Sequence, residues 1–286
     1  GLTSFGQAAF VGIGAYAMFA VVILAGWDPI PAILAGGIAG LALAVPTAFF
    51  AFRLQGAYFA IGTWVIAEVT RLLVAQWKAL GGGTGTSLPG EVTRDMWFVA
   101  GIADLFGVRQ AAARDILAYW LALALAVATI GGIYWLLRTR HGLALAAVRD
   151  NSEAARSVGV DSGRMKWLVF LIAAFGTGMT GALVYVQTAN ISPDAAFDVT
   201  QWTAYVIFIV VIGGIGTIEG PILGVIVFYL LQTFFADYGA WYLMALGLIG
   251  IVVMLFAPRG LWGLISERSG LHLFPVRRRL IVDGKV

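Results

Sequence analysis

Eight apolar stretches, each about as long as one membrane-crossing helix, dominate this sequence. A helix needs about 20 residues to cross a hydrocarbon layer of ~30 Å. Because lipid offers no hydrogen bonds, a single segment that crosses it satisfies its own backbone only as an α-helix. We therefore predict an all-α, polytopic transmembrane helix bundle of about eight spans. These lie near residues 7–26, 30–52, 57–76, 112–137, 167–188, 201–217, 220–236 and 240–257.

The overall composition indicates an integral membrane protein. Hydrophobic residues make up 60% of the 286 residues, charged residues only 12%, and the mean hydropathy is +0.91. Soluble domains are typically about 45–50% apolar and about 25% charged. The pI of 9.3 does not indicate nucleic-acid binding, because the basic residues flank the spans, where they suit lipid headgroups and membrane topology.

The sequence opens with GLTSFGQ, without a methionine and without the pattern of a signal peptide. We therefore expect residues, and with them membrane spans, to be missing upstream, so that eight spans is a lower bound.

Two polar segments interrupt the apolar pattern, and their charge predicts the orientation. Residues 76–111 predict an extramembrane loop with a short surface helix, and residues 138–166 form a basic island. With loops alternating sides, thirteen Lys and Arg residues lie on the side of the island and of the basic tail 265–286, and four lie on the other. By the positive-inside rule, the island and the C-terminus face the cytoplasm, and 76–111 faces outward.

Within the island, the sequence predicts a short helix from about residue 151 to Val158. Asp150, Asn151 and Ser152 are residue types that cap helix N-termini, and Gly159 is a suitable terminator. Lying at the membrane surface with small residues exposed, such a helix suits a groove on a soluble partner. A solvated loop between spans is the alternative that the spacing leaves open.

Ionisable and glycine-rich positions inside the spans are the candidates for a translocation path or gate. Glu68 and Arg71 share one helical face, where they can partly neutralise each other, and the alternative is a static ion pair near the outer interface. The segment 211–224, VIGGIGTIEGPILG, is either a tight cytoplasmic turn between two spans or a re-entrant break. The candidates are Glu68, Arg71, Gly213, Gly214, Gly216 and Glu219.

Glycine is frequent in the spans, and it predicts close helix packing. Lipid gives helices no hydrophobic reason to associate, so small residues that let backbones approach stabilise membrane bundles. The pairs and triplets concerned are Gly12 with Gly14, Gly36 with Gly37 and Gly40, and Gly176 with Gly178 and Gly181. Lining of a moving interface is the other interpretation.

We identify no catalytic residues, no cofactor site and no metal site. The segment Gly81–Ser87 resembles a phosphate-binding loop but lacks its lysine. The chain has no cysteine, and its two histidines, His141 and His272, are isolated in the sequence.

Five segments in the same order resemble the permease subunits of branched-chain amino acid ABC importers, of the LivM type. They are GLTSFGQAAFVGIGAY, GGGTGTSLP, RTRHGLALAAVRDNSEAARSVGVD, VIGGIGTIEGPILG and APRGLWGL. The resemblance covers residues 1–264, which we take as the permease domain, and it implies the LivHM and ribose-permease type of fold. One departure is Gln7, where many members have histidine.

The resemblance implies a transport subunit of the bacterial inner membrane without an ATPase site of its own. ATP would bind to two ABC ATPase partners, which dock on an EAA-type coupling helix that includes Glu153, Ala154, Ala155 and Gly159. A second, related permease and a periplasmic or extracellular solute-binding protein complete the expected assembly. Importers of urea or short amides in the same family, and less favourably an ion-coupled secondary transporter, remain as alternatives.

Overall fold

The structure is a computed structural model that describes residues 4–235, 239–257, 259–270 and 273–275. The described chain is almost entirely helical, which confirms the all-α prediction. Its helices are α1 (Gln7–Ala25), α2 (Pro29–Ala51), α3 (Ala57–Ala75), α4 (Gly90–Arg94), α5 (Val99–Phe106), α6 (Gln110–Arg138), α7 (Arg140–Asp150), α8 (Ser152–Ser157), α9 (Ser162–Thr188), α10 (Pro193–Ala196), α11 (Tyr205–Gly213), α12 (Glu219–Phe235), α13 (Ala240–Phe256) and α14 (Gly260–Ser269).

The predicted spans coincide with helices, although fewer of them qualify as full crossings. In the described part of the chain, six helices are long and apolar enough to cross a membrane, and a bent pair, Met244–Phe256 with Gly260–Ser269, would make seven. The sixth span is Pro193–Gly213, in which α10 and α11 are joined through a π-helical turn, and α12 is apolar but has only 17 residues. The predicted count of about eight spans therefore roughly fits the described helices.

The chain divides into two compact units. The first holds the residues up to Thr129 together with Ala144–Thr203, and the second holds Ile130–Leu143 with the described residues from Ala204 onward. Residue 264, the predicted end of the permease domain, lies inside α14. The basic tail after it falls largely outside the described residues.

Helix α1 is the centre of the first unit, and it packs against α2, α3 and α9. The side chains of Phe10, Tyr16, Met18 and Phe19 are all at most 1% exposed. These side chains point in different directions around the helix, and all of them are covered. Helix α1 is therefore surrounded by other helices over most of its circumference.

Three glycines hold α1, α2 and α9 together through direct backbone contact. A Cβ atom on Gly178 would lie 2.5 Å from the carbonyl oxygen of Gly36, one on Gly36 would lie 2.7 Å from that of Gly14, and one on Gly14 would overlap that of Gly178. The three residues therefore form a closed ring of backbone contacts, which confirms that these glycines pack helices. Gly176 is different, because space for a side chain is open there.

The segment 76–111, which the sequence predicts to be an extramembrane loop, is more ordered than expected. It contains two short 3₁₀ turns, a two-residue strand β1 (Thr86–Ser87), α4 and α5. Strand β1 pairs antiparallel with β2 (Asn190–Ile191), with Thr86 opposite Ile191. Gly85, with φ +80°, lies so close to the Ile191 carbonyl that no side chain would fit. The glycines of this loop therefore serve its folding.

Asp28 joins the start of α2 to this loop. One carboxylate oxygen caps the helix by accepting from the Ile30 amide at 2.9 Å, and the other accepts from the Trp97 amide at 2.8 Å. Replacing Asp28 with alanine should lower the free energy of unfolding by about 1–2 kcal/mol, because the cap and the clamp are lost together. Thermal unfolding in detergent checks this, with Asp95→Ala, an exposed carboxylate in the same loop, as the matched control. Equal melting temperatures for the two variants would contradict it.

The second unit is built on a helical hairpin of α11 and α12. Gly213 lies against Gly220, and Gly224 lies against the Ile209 carbonyl, so the two helices run antiparallel away from their turn. Helices α13 and α14 pack on this hairpin. At the turn end, Gly260 at the start of α14 contacts the backbone of Gly214, which brings three helices to one point.

Candidate functional site

A short, well-defined helix forms where the basic island predicts one. Helix α8 begins after Asn151, whose side-chain oxygen accepts hydrogen bonds from the amides of Glu153 at 2.9 Å and Ala154 at 3.0 Å. It ends at Ser157, one residue before the predicted end. The apolar residues 143–148 ahead of it are also helical, since they lie within α7.

The start of α9 holds α8 in place. The Arg156 side chain donates to the Ser162 hydroxyl at 2.8 Å, and the Val160 amide donates to the Ala155 carbonyl at 2.9 Å. Gly159, with φ +85°, supplies the left-handed turn that reverses the chain between the two helices. Helix α8 therefore has a fixed position relative to α9.

The exposed surface of α8 differs from the predicted one at two positions. Glu153 and Ala154 are exposed as expected, but Ala155 is only 2% exposed and packs onto the protein, so it supports the helix instead of presenting a surface. Val158 was not predicted as part of the site, although its side chain is 75% exposed. Val158 therefore adds one exposed apolar side chain next to Glu153 and Ala154.

Glu68 and Arg71 form the ion pair that their spacing predicts. The Arg71 Nη2 lies 2.6 Å from the Glu68 carboxylate, and the Arg71 Nε donates to both of its oxygens at 3.1 Å. The Arg71 Nη1 also donates to the Asp194 carboxylate at 2.7 Å. Asp194 lies 123 residues further along the chain, in α10, so local spacing does not predict this contact. The result is a cluster of three ionised side chains, named here the Arg71 cluster.

The Arg71 cluster lies near the end of its span and not at its middle. Arg71 is four residues before the end of α3, which corresponds to about 6 Å along the helix axis. The exposed fraction of the side chain is 26% for Arg71, 44% for Glu68 and 82% for Asp194. The cluster is therefore open on the Asp194 side and half-buried at Arg71.

The coupling candidate and the Arg71 cluster lie at opposite ends of α9. Helix α8 precedes its first residue, Ser162, and Asp194 follows its last, Thr188, by six residues. With 27 residues, α9 is about 40 Å long. One continuous helix therefore connects the two sites within the first unit.

In the second unit, the segment 211–224 is a tight turn between the antiparallel helices α11 and α12. Gly214 (φ +133°) and Gly216 (φ +87°) adopt backbone conformations that other residues avoid. The Thr217 hydroxyl donates to the Gly214 carbonyl at 3.2 Å and accepts from the Gly220 amide at 3.0 Å. Both predicted alternatives contain such a turn, and its place relative to the membrane stays a prediction.

Glu219 lies in the first turn of α12 and is only 6% exposed. Its carboxylate accepts a hydrogen bond from the Phe274 amide at 2.8 Å, and the Phe274 ring packs edge-on against Tyr134. The buried carboxylate thus holds the segment that follows α14 against the hairpin. This is a structural role that the sequence does not predict.

Among the described residues, there is no group of three or more histidine and acidic side chains that could hold a metal ion. His141 lies in α7, and His272 lies outside the described residues.

Comparison with known proteins relates the whole chain to one family. The model of a family described as branched-chain amino acid transport system / permease component matches residues 1–257. The high-affinity branched-chain amino acid transport system permease protein LivM of Salmonella typhimurium is 31% identical over 277 residues, which are 91% of this chain and 64% of that protein. LivM of Escherichia coli gives the same identity and coverage.

A third relative is similar over more of its own length. The permease protein BraD of a high-affinity branched-chain amino acid transport system in Pseudomonas aeruginosa is 26% identical over 288 residues, covering 92% of this chain and 86% of the relative. The present chain spans 64% of the length of the two LivM proteins. No solved structure matches it significantly.

Proposed function

The chain belongs to the family of branched-chain amino acid transport system permease components, and on that premise we propose that it is the transmembrane permease subunit of an ATP-driven importer for branched-chain amino acids. The family match confirms the resemblance that the five sequence segments carry, and with it the membership in a multi-pass membrane permease family. Substrate, partners and coupling belong to the proposal.

Helix α8 is the observation that carries the coupling part of the proposal. Its N-cap at Asn151, its packed Ala155 and the Arg156–Ser162 hydrogen bond fix it to α9, while Glu153, Ala154 and Val158 remain exposed. Because α8 is fixed to α9, a partner that binds those exposed residues and moves would move α9 as well. We infer that α8 docks in a groove on an ABC ATPase and transmits its ATP-driven movement to the bundle.

The full assembly that we propose contains two ABC ATPases, a second related permease and a solute-binding protein outside the membrane. The two permeases enclose the path and alternate between outward-open and inward-open states. We propose the Arg71 cluster as one element of this path or its gate, and the turn with Gly213, Gly214, Gly216 and Glu219 as another. ATP binds to the partner subunits.

Transport by the reconstituted complex tests this function. The chain, its partner permease and two ATPases are placed in liposomes, and ATP-dependent uptake of labelled leucine is measured with the loaded binding protein present. We expect uptake that requires both ATP and the binding protein. Uptake without ATP, driven by an ion gradient, would establish the secondary-transporter alternative instead.

The proposed orientation has its own test, helped by the absence of cysteine from the chain. Single cysteines are introduced at two exposed positions, Ser157 in α8 and Glu91 in the 76–111 loop. In intact cells, a membrane-impermeant maleimide should label Glu91→Cys and leave Ser157→Cys unlabelled until the cells are opened. The reverse pattern would overturn both the orientation and the coupling mechanism, because the ATPases are cytoplasmic.

A further inference from the structure

Arg71 retains hydrogen-bonding capacity that its two carboxylate partners do not use. A guanidinium group has five N–H donors in a planar fork. Bonds to Glu68 and Asp194 engage Nε, one N–H of Nη2 and one N–H of Nη1. Two N–H groups are left, one on Nη1 and one on Nη2, and a further carboxylate, the third on this guanidinium, can accept from them.

Asp194 likewise has unused capacity, on the side of the cluster that is open. One of its oxygens accepts from Arg71, the other has no partner among the described residues, and the side chain is 82% exposed. This free carboxylate oxygen is suited to accept a hydrogen bond from an incoming ammonium group. The negative Asp194 carboxylate would then lie between two positive groups, the Arg71 guanidinium and the ammonium group.

A buried hydroxyl close to the cluster is also unsatisfied. Tyr16 in α1 is 1% exposed, its ring packs against Phe197 at the end of α10, and its hydroxyl has no hydrogen-bond partner among the described residues. Buried polar groups are nearly always hydrogen-bonded. An unpaired hydroxyl at this place is available to water or to a polar group of a ligand.

We propose that the Arg71 cluster binds the zwitterionic head of an α-amino acid, with the carboxylate on Arg71 and the ammonium group on Asp194. The proposal rests on the proposed transport function and specifies its substrate class. Glu68 is a positioning residue here, because its two-pronged contact fixes the plane of the guanidinium.

The cluster would separate the substrate classes that the family resemblance leaves open. Urea and short amides carry neither charge, so they cannot replace the contacts that the two ionised groups offer. Sites built to pair with polar groups reject analogues that lack them far more strongly than apolar pockets reject a missing methylene. The cluster therefore selects for the ammonium and carboxylate groups of the ligand, and the ligand's apolar side chain is recognised at another place.

Direct binding to the complex in nanodiscs, without the binding protein, tests the head-group specificity. Saturation-transfer NMR is measured with leucine, with isoamylamine, which keeps only the ammonium group, and with 4-methylpentanoate, which keeps only the carboxylate. We expect leucine to bind at least about tenfold more tightly than either half-molecule, since each lacks one charge-assisted contact. Equal binding of the three ligands, or of urea, would overturn the proposal.

Variants of the cluster test which residues carry that specificity. Arg71→Lys keeps the charge but loses the fork, and Asp194→Asn keeps the shape but loses the charge. Each should weaken leucine binding about tenfold or more. Asp194→Asn should also reduce the preference for leucine over 4-methylpentanoate. The control is Glu91→Gln, an exposed carboxylate of the 76–111 loop, which should behave as the unmodified protein.

Transport kinetics distinguish substrate recognition from the docking of a basic partner on Asp194. If the cluster binds substrate, the variants lower maximal leucine uptake per ATP hydrolysed and leave the half-saturating concentration of binding protein unchanged. A raised half-saturating concentration with an unchanged maximal rate would overturn the proposal in favour of docking. If the unmodified complex transports no leucine, the proposed function is wrong. If it transports leucine and the Arg71 and Asp194 variants transport it equally well, only the inference about the cluster is wrong.

Discussion

Gly178→Ala is expected to destabilise the protein, whereas the same change two residues earlier, at Gly176, is expected to be neutral or stabilising. The added Cβ at Gly178 would lie 2.5 Å from the Gly36 carbonyl, and the atom it meets is backbone that cannot rotate away. Overpacking of this kind costs about 1–3 kcal/mol. At Gly176 the space is open, so only the helix preference for alanine, up to about 1 kcal/mol, remains.

Thermal unfolding of the two variants in detergent, monitored in parallel, gives the sign of each effect. The pair is well matched because both glycines are in α9 and both changes add one methyl group. Gly178→Ala is expected to lower the melting temperature, and Gly176→Ala to leave it unchanged or raise it. If both variants shift in the same direction and by the same amount, the ring of Gly14, Gly36 and Gly178 does not hold the three helices together.

Combining Glu153→Lys in α8 with Val158→Asp, the residue that follows α8, is expected to abolish retention of the proposed ATPase partner and ATP-dependent uptake. Both side chains are exposed, so the variant should fold normally. In the proposed contact, the charge at position 153 is reversed and the apolar side chain at position 158 is replaced by a carboxylate. Losses of 2 kcal/mol or more are typical of central interface residues, and two such losses correspond to about a thousandfold weaker binding.

Co-purification of the ATPase with tagged permease measures this directly. Glu91→Lys, the same charge reversal on the proposed outer face, is the control and should retain the ATPase. Ala155→Leu offers a contrast, because Ala155 is buried and its enlargement should lower stability as well as coupling. A double variant that still retains the ATPase and couples hydrolysis to uptake would place the contact elsewhere on the permease.

The spans could be predicted because the bilayer demands about 20 apolar residues in one run, a signal contained in each segment itself. Their ends could not be predicted as well. Helix α9 begins at Ser162, five residues before the predicted start, because Asp161 caps it and its first five residues include the charged Arg164 and Lys166. A hydropathy pattern detects where apolar residues begin, and a helix can begin earlier in water.

Contacts between distant segments had no local signal. Glu68 with Arg71 follows from helical spacing, but the Asp194 partner depends on how α10 packs on α3. The pairing of β1 with β2 joins residues about one hundred positions apart. In the same way, glycine frequency predicted close packing, but only the packed helices distinguish Gly178, which touches backbone, from Gly176, which does not.

The glycine ring also determines how α9 could tilt. Gly178 lies sixteen residues from the first residue of α9 and ten from its last, or about 24 Å and about 15 Å along the axis. If α9 rotates about this tightly held point, its two ends travel in opposite directions, and the end next to α8 covers the longer arc. A displacement imposed at the α8 end would then arrive at the opposite end of α9 reversed in direction and reduced to about three fifths.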